Sequence, residues 1–229
     1  MPVWQKENDG AAVDAMKIYL FRHGETDWNK ERRLQGHSDI PLNTYGRELA
    51  VKTAEALRNE GVSFDRAFCS PLNRAEETAE IILGEEALKQ VTLIRDPRLE
   101  EIHFGEYEGQ AFDEMKSNES HPLHNFFCKP EDYIPPAGAE SFQETRERGA
   151  AFLKERILPL EGICENVLII AHGAFNRSIL SIIEELPPEK FWQIALPNCA
   201  ASILQLEKGK FTVLEEGKVY YGNPVNGRP

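Results

Sequence analysis

Residues 17–29 read K-I-Y-L-F-R-H-G-E-T-D-W-N, so an arginine, Arg22, and a histidine, His23, stand side by side just before a glycine. The guanidinium of Arg22 is a planar fork of donors suited to a phosphate, and a histidine can act as a nucleophile near neutral pH without a metal. A histidine after a strand is by itself more often a structural residue. Two further clusters change that balance. Cys69-Ser70-Pro71-Leu72-Asn73-Arg74 places a second arginine, Arg74, at a helix start, where free backbone N–H groups also favour an anion. Ala171-His172-Gly173 supplies a second histidine. Phosphoryl transfer needs an in-line nucleophile and compensation of charge on the equatorial oxygens. Arg22, Arg74 and a cationic His172 meet that second need, in place of the usual metal.

The elements that would bring these residues together can be read from periodicity. Residues 17–21 are a short, apolar, β-prone strand ending on Arg22, and 166–171 is the cleanest buried strand, ending on His172. Residues 64–69 form another strand, closed by Ser70-Pro71, and 91–94 a third in line. Helices are expected over 44–60 with Gly61 as stop, over 74–83 with Gly84 at its end, from a Ser141 cap with Glu144 as capping box to about 158, and over 173–184. Strands 201–206 and 211–214 read as a closing hairpin around Lys208-Gly209. This alternation predicts a three-layer α/β/α sandwich with a mostly parallel central sheet. Parallel strands place all three clusters at their C-terminal edge, where open sheets bind ligands.

Residues 96–109 read as an acidic, aromatic loop. Residues 112–139, with four prolines and the aromatics Phe112, Phe126, Phe127 and Tyr133, have no legible regular structure and are expected to form a lid-like insertion, at about 106–139, over a site. The rest, 16–229, is expected to be one domain, preceded by an extension at 1–15. That extension lacks the basic start and apolar core of a signal peptide.

The net charge of −12 argues against nucleic acid or an anionic membrane as partner, so a phosphate site here must be a local basic pocket. No apolar run approaches the roughly 20 residues that span a bilayer. The four cysteines, at 69, 128, 164 and 199, form no Cys-x-x-Cys pair and are expected to be reduced thiols in a cytoplasmic protein. His121 and His124 lack further ligands at metal spacing, and neither a metal nor a cofactor is expected.

In combination these stretches resemble the histidine phosphatase superfamily, the phosphoglycerate mutase-like group. The matches are Arg22-His23-Gly24-Glu25-Thr26 with Trp28-Asn29, Leu34-Gln35-Gly36 with Asp39, Ser70-Pro71-Leu72 with Arg74 and Thr78, Glu101-Ile102-His103-Phe104-Gly105 with Glu108-Gly109, Glu140-Ser141-Phe142, and Ala171-His172-Gly173. The resemblance implies that His23 forms a phosphohistidine and that Arg22, Asn29, Arg74 and His172 hold the phosphoryl oxygens. Its Glu-x-x-aromatic-Gly pattern falls on Glu101, which becomes the general acid and base, rather than on neighbouring Glu100. Gln35, Gly36 and Gly173 are assigned to the substrate side with Arg33, and Arg177 to a structural role. The expected activity is hydrolysis of a small phosphorylated metabolite. The rivals are a cofactor-dependent phosphoglycerate mutase and a non-catalytic phosphate-binding module. Glu100, Glu106 and Glu108 around the acid motif argue against the mutase, which needs basic groups for the substrate carboxylate.

Overall fold

The run at 16–22 offers only Lys17 to solvent, as a strand buried on both faces requires. In the computed structural model, which describes residues 15–222, the strands are β1 (Met16–Arg22), β2 (Arg66–Cys69), β3 (Leu93–Arg95), β4 (Asn166–Ala171), β5 (Ala201–Glu207) and β6 (Lys210–Lys218). Their order across the sheet is β3-β2-β4-β1-β5-β6. The first four are mutually parallel, while β5 runs antiparallel to β1, and β6 antiparallel to β5. The helices are α1 (Asp27–Lys30), α2 (Thr44–Asn59), α3 (Asn73–Leu88), α4 (Phe112–Ser117), α5 (His124–Cys128), α6 (Phe142–Phe152) and α7 (Gly173–Ile183).

Successive side chains of the sheet feed opposite layers. Ile18, Leu20, Val167, Ile169, Leu204 and Leu206 pack with Phe152 of α6 and Phe175, Ile179 and Leu180 of α7. Tyr19, Phe21, Ala67, Leu168 and Ile170 pack with Leu57 of α2 and Ala75, Ala79 and Ile82 of α3. The three-layer sandwich is thus as expected. Among the described residues no helix is long and apolar enough to cross a membrane. Cys69, Cys164 and Cys199 are buried free thiols, and Cys128 is an exposed one. Of the extension expected at 1–15, residues 1–14 lie outside the described residues.

The element boundaries shift in places. Gly84 (φ 73°, ψ 164°) breaks α3 but does not end it, because a further helical turn follows to Leu88. The capping box of α6 forms, with Ser141 N–H donating to Glu144 Oε2 at 2.8 Å and Glu144 N–H to Ser141 Oγ at 3.1 Å. Beyond Phe152 the helix widens into a π-type turn over Leu153–Ile157. β6 is longer than its apolar pattern, since strand pairing rather than burial carries it to Lys218. Lys208 and Gly209 both adopt positive φ, 52° and 72°, the geometry of a tight two-residue hairpin turn.

The segment whose local structure was not legible contains α4 and α5. It packs through aromatic side chains against the loop at 102–107 and against Phe191 and Trp192. Phe126, 1% exposed, is the hub. Its ring centroid lies 4.9 Å from those of Phe104, Phe127 and Phe142, 5.1 Å from Tyr133 and 5.2 Å from Trp192. Edge-to-face and offset pairs of this kind add to the burial of the rings. Phe126→Ala should therefore cost about 3–5 kcal/mol of stability, as for large aromatic truncations in cores. Denaturant titration will read that loss, and a change under ~1 kcal/mol would mean that the cluster does not hold the segment in place.

Candidate active site

The register β1–β4 pairs Arg22 with Ala171, and β2–β4 pairs Cys69 with Ile170, so the three strand ends finish side by side. There Arg22, His23, Asn29, Gln35, Gly36, Arg74, Glu101 and Gly173 line one cavity of about 260 Å³. His172 is fully buried beside it, its ring centroid 5.1 Å from that of His23. Every residue proposed for the site from sequence is therefore in or against one cavity.

His23 Nδ1 lies 2.7 Å from the carbonyl oxygen of Gly24, which has no proton to give, so Nδ1 carries the hydrogen and Nε2 keeps its lone pair. The turn that aims the ring is fixed from several sides. Gly24 N–H donates to Thr78 Oγ1 at 3.0 Å, and Asn198 Nδ2 donates to the carbonyls of His23 and Gly24 at 3.0 and 3.2 Å. Asn29 Oδ1 accepts from Thr26 N–H, completing a capping box on α1, and also from Asn198. Its amide nitrogen is then the end left for the cavity. Thr26 Oγ1 also reaches Gln35 Oε1 at 2.9 Å.

The arginines are anchored by backbone carbonyls. Arg22 Nη1 donates to Leu196 O at 2.8 Å, and Arg74 Nη1 and Nη2 donate to Ser38 O and Gly36 O, both at 2.7 Å. Gly36 holds this turn at φ 53°, and a Cβ there would lie 2.1 Å from Glu108 Oε1, so no larger residue fits. Burial lowers the pKa of Arg22, and that of Arg74 to about 10. Both remain cations at neutral pH. Burial, then the charges of Arg74 and Arg22, drive the His23 pKa well below the imidazole range, which keeps the ring unprotonated.

His172 has the same fate, from burial, Arg74 and His23 in that order. The cationic His172 expected from sequence is thus corrected: in the protein alone it is neutral. Arg22 Nε, Arg74 Nε and both ring nitrogens of His172 are buried without a hydrogen-bond partner. Each such atom costs roughly 1–3 kcal/mol, which an anion accepting from these donors would recover. At the N-terminus of α3 the first N–H, on Asn73, is taken by Asp39 Oδ1 at 2.8 Å.

Glu101 reaches the cavity from the other side. Its Oε1 accepts from Ile102 N–H at 3.0 Å and Phe175 N–H at 2.8 Å, and its Oε2 from Ala174 N–H at 3.1 Å, so it caps the first turn of α7. Glu100 points away, 3.9 Å from His37 Nε2, in a separate groove with His103 and Glu140. Glu108 is also structural: it accepts from the N–H groups of His37, Ser38 and Phe104. Glu106 is exposed. None of the three lines the cavity, so the acidic argument drawn from them against a mutase falls. The residues that do line the outer cavity are Arg32, Arg33, Lys116 and Arg177, together with Leu34, Phe104, Phe112, Phe126, Phe127 and Trp192. Arg177 donates to Ile194 O and Gly173 O, both at 3.0 Å, and stacks on Trp192. It therefore joins a structural role to a place on the wall. Lys116, Trp192 and Asn198 escaped the sequence reading, since each sits in a stretch with no motif.

Residues 18–218 match the model of the histidine phosphatase superfamily, branch 1. The chain belongs to that superfamily. A 2,3-bisphosphoglycerate-dependent phosphoglycerate mutase of Parvibaculum lavamentivorans is 31% identical over 190 residues, 83% of this chain and 90% of that protein. Among solved structures, Bacillus stearothermophilus YhfR superposes with a TM-score of 0.80 at 33% identity, covering 89% of this chain and 98% of that one. A putative alpha-ribazole-5'-P phosphatase of Escherichia coli gives 0.75 at 25% identity, covering 93% and 100%. These histidine phosphatase relatives include both mutases and phosphatases by name.

An anion placed among the unpartnered donors raises the His172 pKa that burial holds down. Sulfate carries no titratable proton near neutrality. Its binding should therefore take up a proton, seen as calorimetric heats that vary with buffer ionisation enthalpy, and should tighten as pH falls from about 8 to about 6. His172→Ala should bind sulfate more weakly and without uptake. Buffer-independent heats in the wild type would show that His172 stays neutral beside the anion.

Proposed function

We propose that this protein is a phosphomonoesterase that hydrolyses a small phosphorylated metabolite through phosphohistidine at His23, without a metal. His23 Nε2 forms the N–P bond as the P–O bond to the leaving group breaks, and Glu101 gives its proton to the departing oxygen. Water then attacks phosphorus and passes its proton to Glu101, and the N–P bond breaks with its electron pair returning to Nε2. Arg22, Arg74, the Asn29 amide and His172 hold the equatorial oxygens throughout, His172 being cationic once the phosphoryl group is bound.

The observation that carries hydrolysis over transfer is the aromatic part of the cavity wall, formed by Phe104, Phe112, Phe126, Phe127 and Trp192. Such a surface suits an organic body with apolar area, and is poorly matched to a small sugar acid that carries a carboxylate as well as its phosphate. The mutase remains the second reading, favoured by Arg32, Arg33 and Lys116 on the same cavity and by the relatives named for that activity. The non-catalytic module is disfavoured because His23, both arginines and Glu101 are all present and converge.

Incubation with 3-phosphoglycerate and catalytic 2,3-bisphosphoglycerate should yield little 2-phosphoglycerate, while aryl and aralkyl phosphates release phosphate in the presence of a strong chelator. Isomerisation outpacing phosphate release would transfer the assignment to the mutase, and loss of hydrolysis restored by Mg²⁺ or Zn²⁺ would remove metal independence. In alkaline trapping with labelled substrate, phosphate should appear on histidine in acid-labile, alkali-resistant form and vanish in His23→Ala, with turnover down by several orders of magnitude. A His23→Ala protein of near-normal rate would mean that another residue attacks.

A further inference from the structure

Glu101 lies in a stretch between the short turns Pro97–Leu99 and Gly105–Tyr107, with neither strand nor helix to fix it. A proton donor must stand within hydrogen-bond reach of the leaving oxygen, and an error near 1 Å costs about 10²-fold in rate. What fixes this loop comes from behind the cavity. Arg148 of α6 donates through Nη1 to Arg98 O and Glu100 O, both at 2.7 Å, and through Nη2 to Glu101 O at 3.0 Å. Its Nε and Nη2 donate to Glu140 Oε1 and Oε2 at 2.6 and 2.9 Å. All five N–H groups of the guanidinium are thereby used, three on main-chain carbonyls within residues 98–101 and two in a bidentate carboxylate pair.

Glu140 staples the loop a second time. Its N–H donates to His103 O at 2.7 Å, and its Oε2 accepts from His103 N–H at 3.3 Å. The guanidinium also lies 4.9 Å from the ring centroid of Phe175, whose N–H holds Glu101 Oε1. Arg148 thus meets Glu101 twice, once at its carbonyl and once through the residue that grips its carboxylate. His37 Nε2, 2.9 Å from the same Glu101 carbonyl, closes the other side.

We propose that Arg148, oriented by Glu140, is the positioning residue of the proton donor: it sets the Glu101 peptide, and hence the carboxyl, over the leaving oxygen. The inference rests on Glu101 acting as the acid, as proposed above. A lysine cannot replace it, because three donors on one nitrogen cannot span three carbonyls and a carboxylate.

The test compares nitrophenyl phosphate, whose leaving group scarcely needs a proton, with 2-phenylethyl phosphate, whose alkoxide does. In Glu101→Gln the phenylethyl ester should lose far more kcat than the nitrophenyl ester. Arg148→Lys should show the same selectivity, about 10²-fold on kcat for the phenylethyl ester and under ~3-fold for the nitrophenyl ester, with both KM values nearly unchanged. Glu140→Gln should shift the ratio in the same direction and by less. Equal losses on both esters, or a change confined to KM, would make Arg148 a structural clamp only and overturn the inference. Should Arg148→Lys not fold, Glu140→Gln decides by the same ratio, since it retains the guanidinium and its carbonyl bonds. Selectivity in Glu101→Gln without selectivity in either clamp variant overturns this inference alone. No selectivity in Glu101→Gln overturns the acid assignment, and this inference with it.

Discussion

Arg74 and Arg177 are buried and Arg22 half-buried at the cavity, with carbonyl oxygens, not carboxylates, for hydrogen-bond partners. A carboxylate would have neutralised each cation at the place where charge is needed, whereas a carbonyl dipole orients the guanidinium and leaves its charge whole. The cost is desolvation, visible in the lowered pKa of all three. Burial first, and then this positive field, hold the pKa of His23 and His172 well below the imidazole range in the protein alone. In a chain of net charge −12, this pocket opposes the sign of the whole molecule, so its pull on a phosphate is local and short in range.

The fold exists in the form it does because such a site must be assembled from distant parts of the chain. β1 sits between β4 and β5, and β4 sits between β1 and β2, so the ends bearing Arg22 and His172 are adjacent while that leading to Arg74 is one strand further. The carbonyls that hold Arg22 and Arg177 come from Leu196 and Ile194, just before β5. Asn198 and Cys199 in the same stretch fasten the turn at His23, Cys199 through its N–H to the carbonyls of Arg22 and His23 at 3.1 and 3.2 Å. The segment leading into the antiparallel strand is therefore as much part of the site as the strand ends are.

The site has two carboxylate systems with opposite duties. Glu101 faces the cavity and takes three N–H groups, two of them from the first turn of α7. Glu108 and Glu140 face the back of the same loop and tie it to 37–38, 103–104 and α6. Neighbouring carboxylates thus divide between the cavity and the scaffold according to the direction in which each points, which also separates Glu101 from Glu100.

The sequence by itself determined the layered fold, since buried strands and amphipathic helices announce their own periodicity, and it determined Arg22, His23, Arg74 and His172, because each stands in a local motif at an element's end. Glu101 was legible only through the family resemblance. It also placed the capping box at Ser141 and the hairpin turn at Lys208-Gly209, both of which depend on residues a few positions apart. It did not disclose that Glu108 is a structural acceptor or that His172 is neutral alone, because burial and the approach of Arg74 are properties of the assembled chain. Nor did it reveal Arg148, Lys116, Trp192 or Asn198. Their partners lie 47, 11, 66 and 175 positions away for Glu101, Phe127, Phe126 and His23 respectively. Aromatic packing around Phe126 likewise has no period to read, since rings from five separate segments meet there, four contacts edge to face and that with Phe142 stacked. Those contacts are made only when the sheet and its helices bring the segments together, and the tertiary structure decided them.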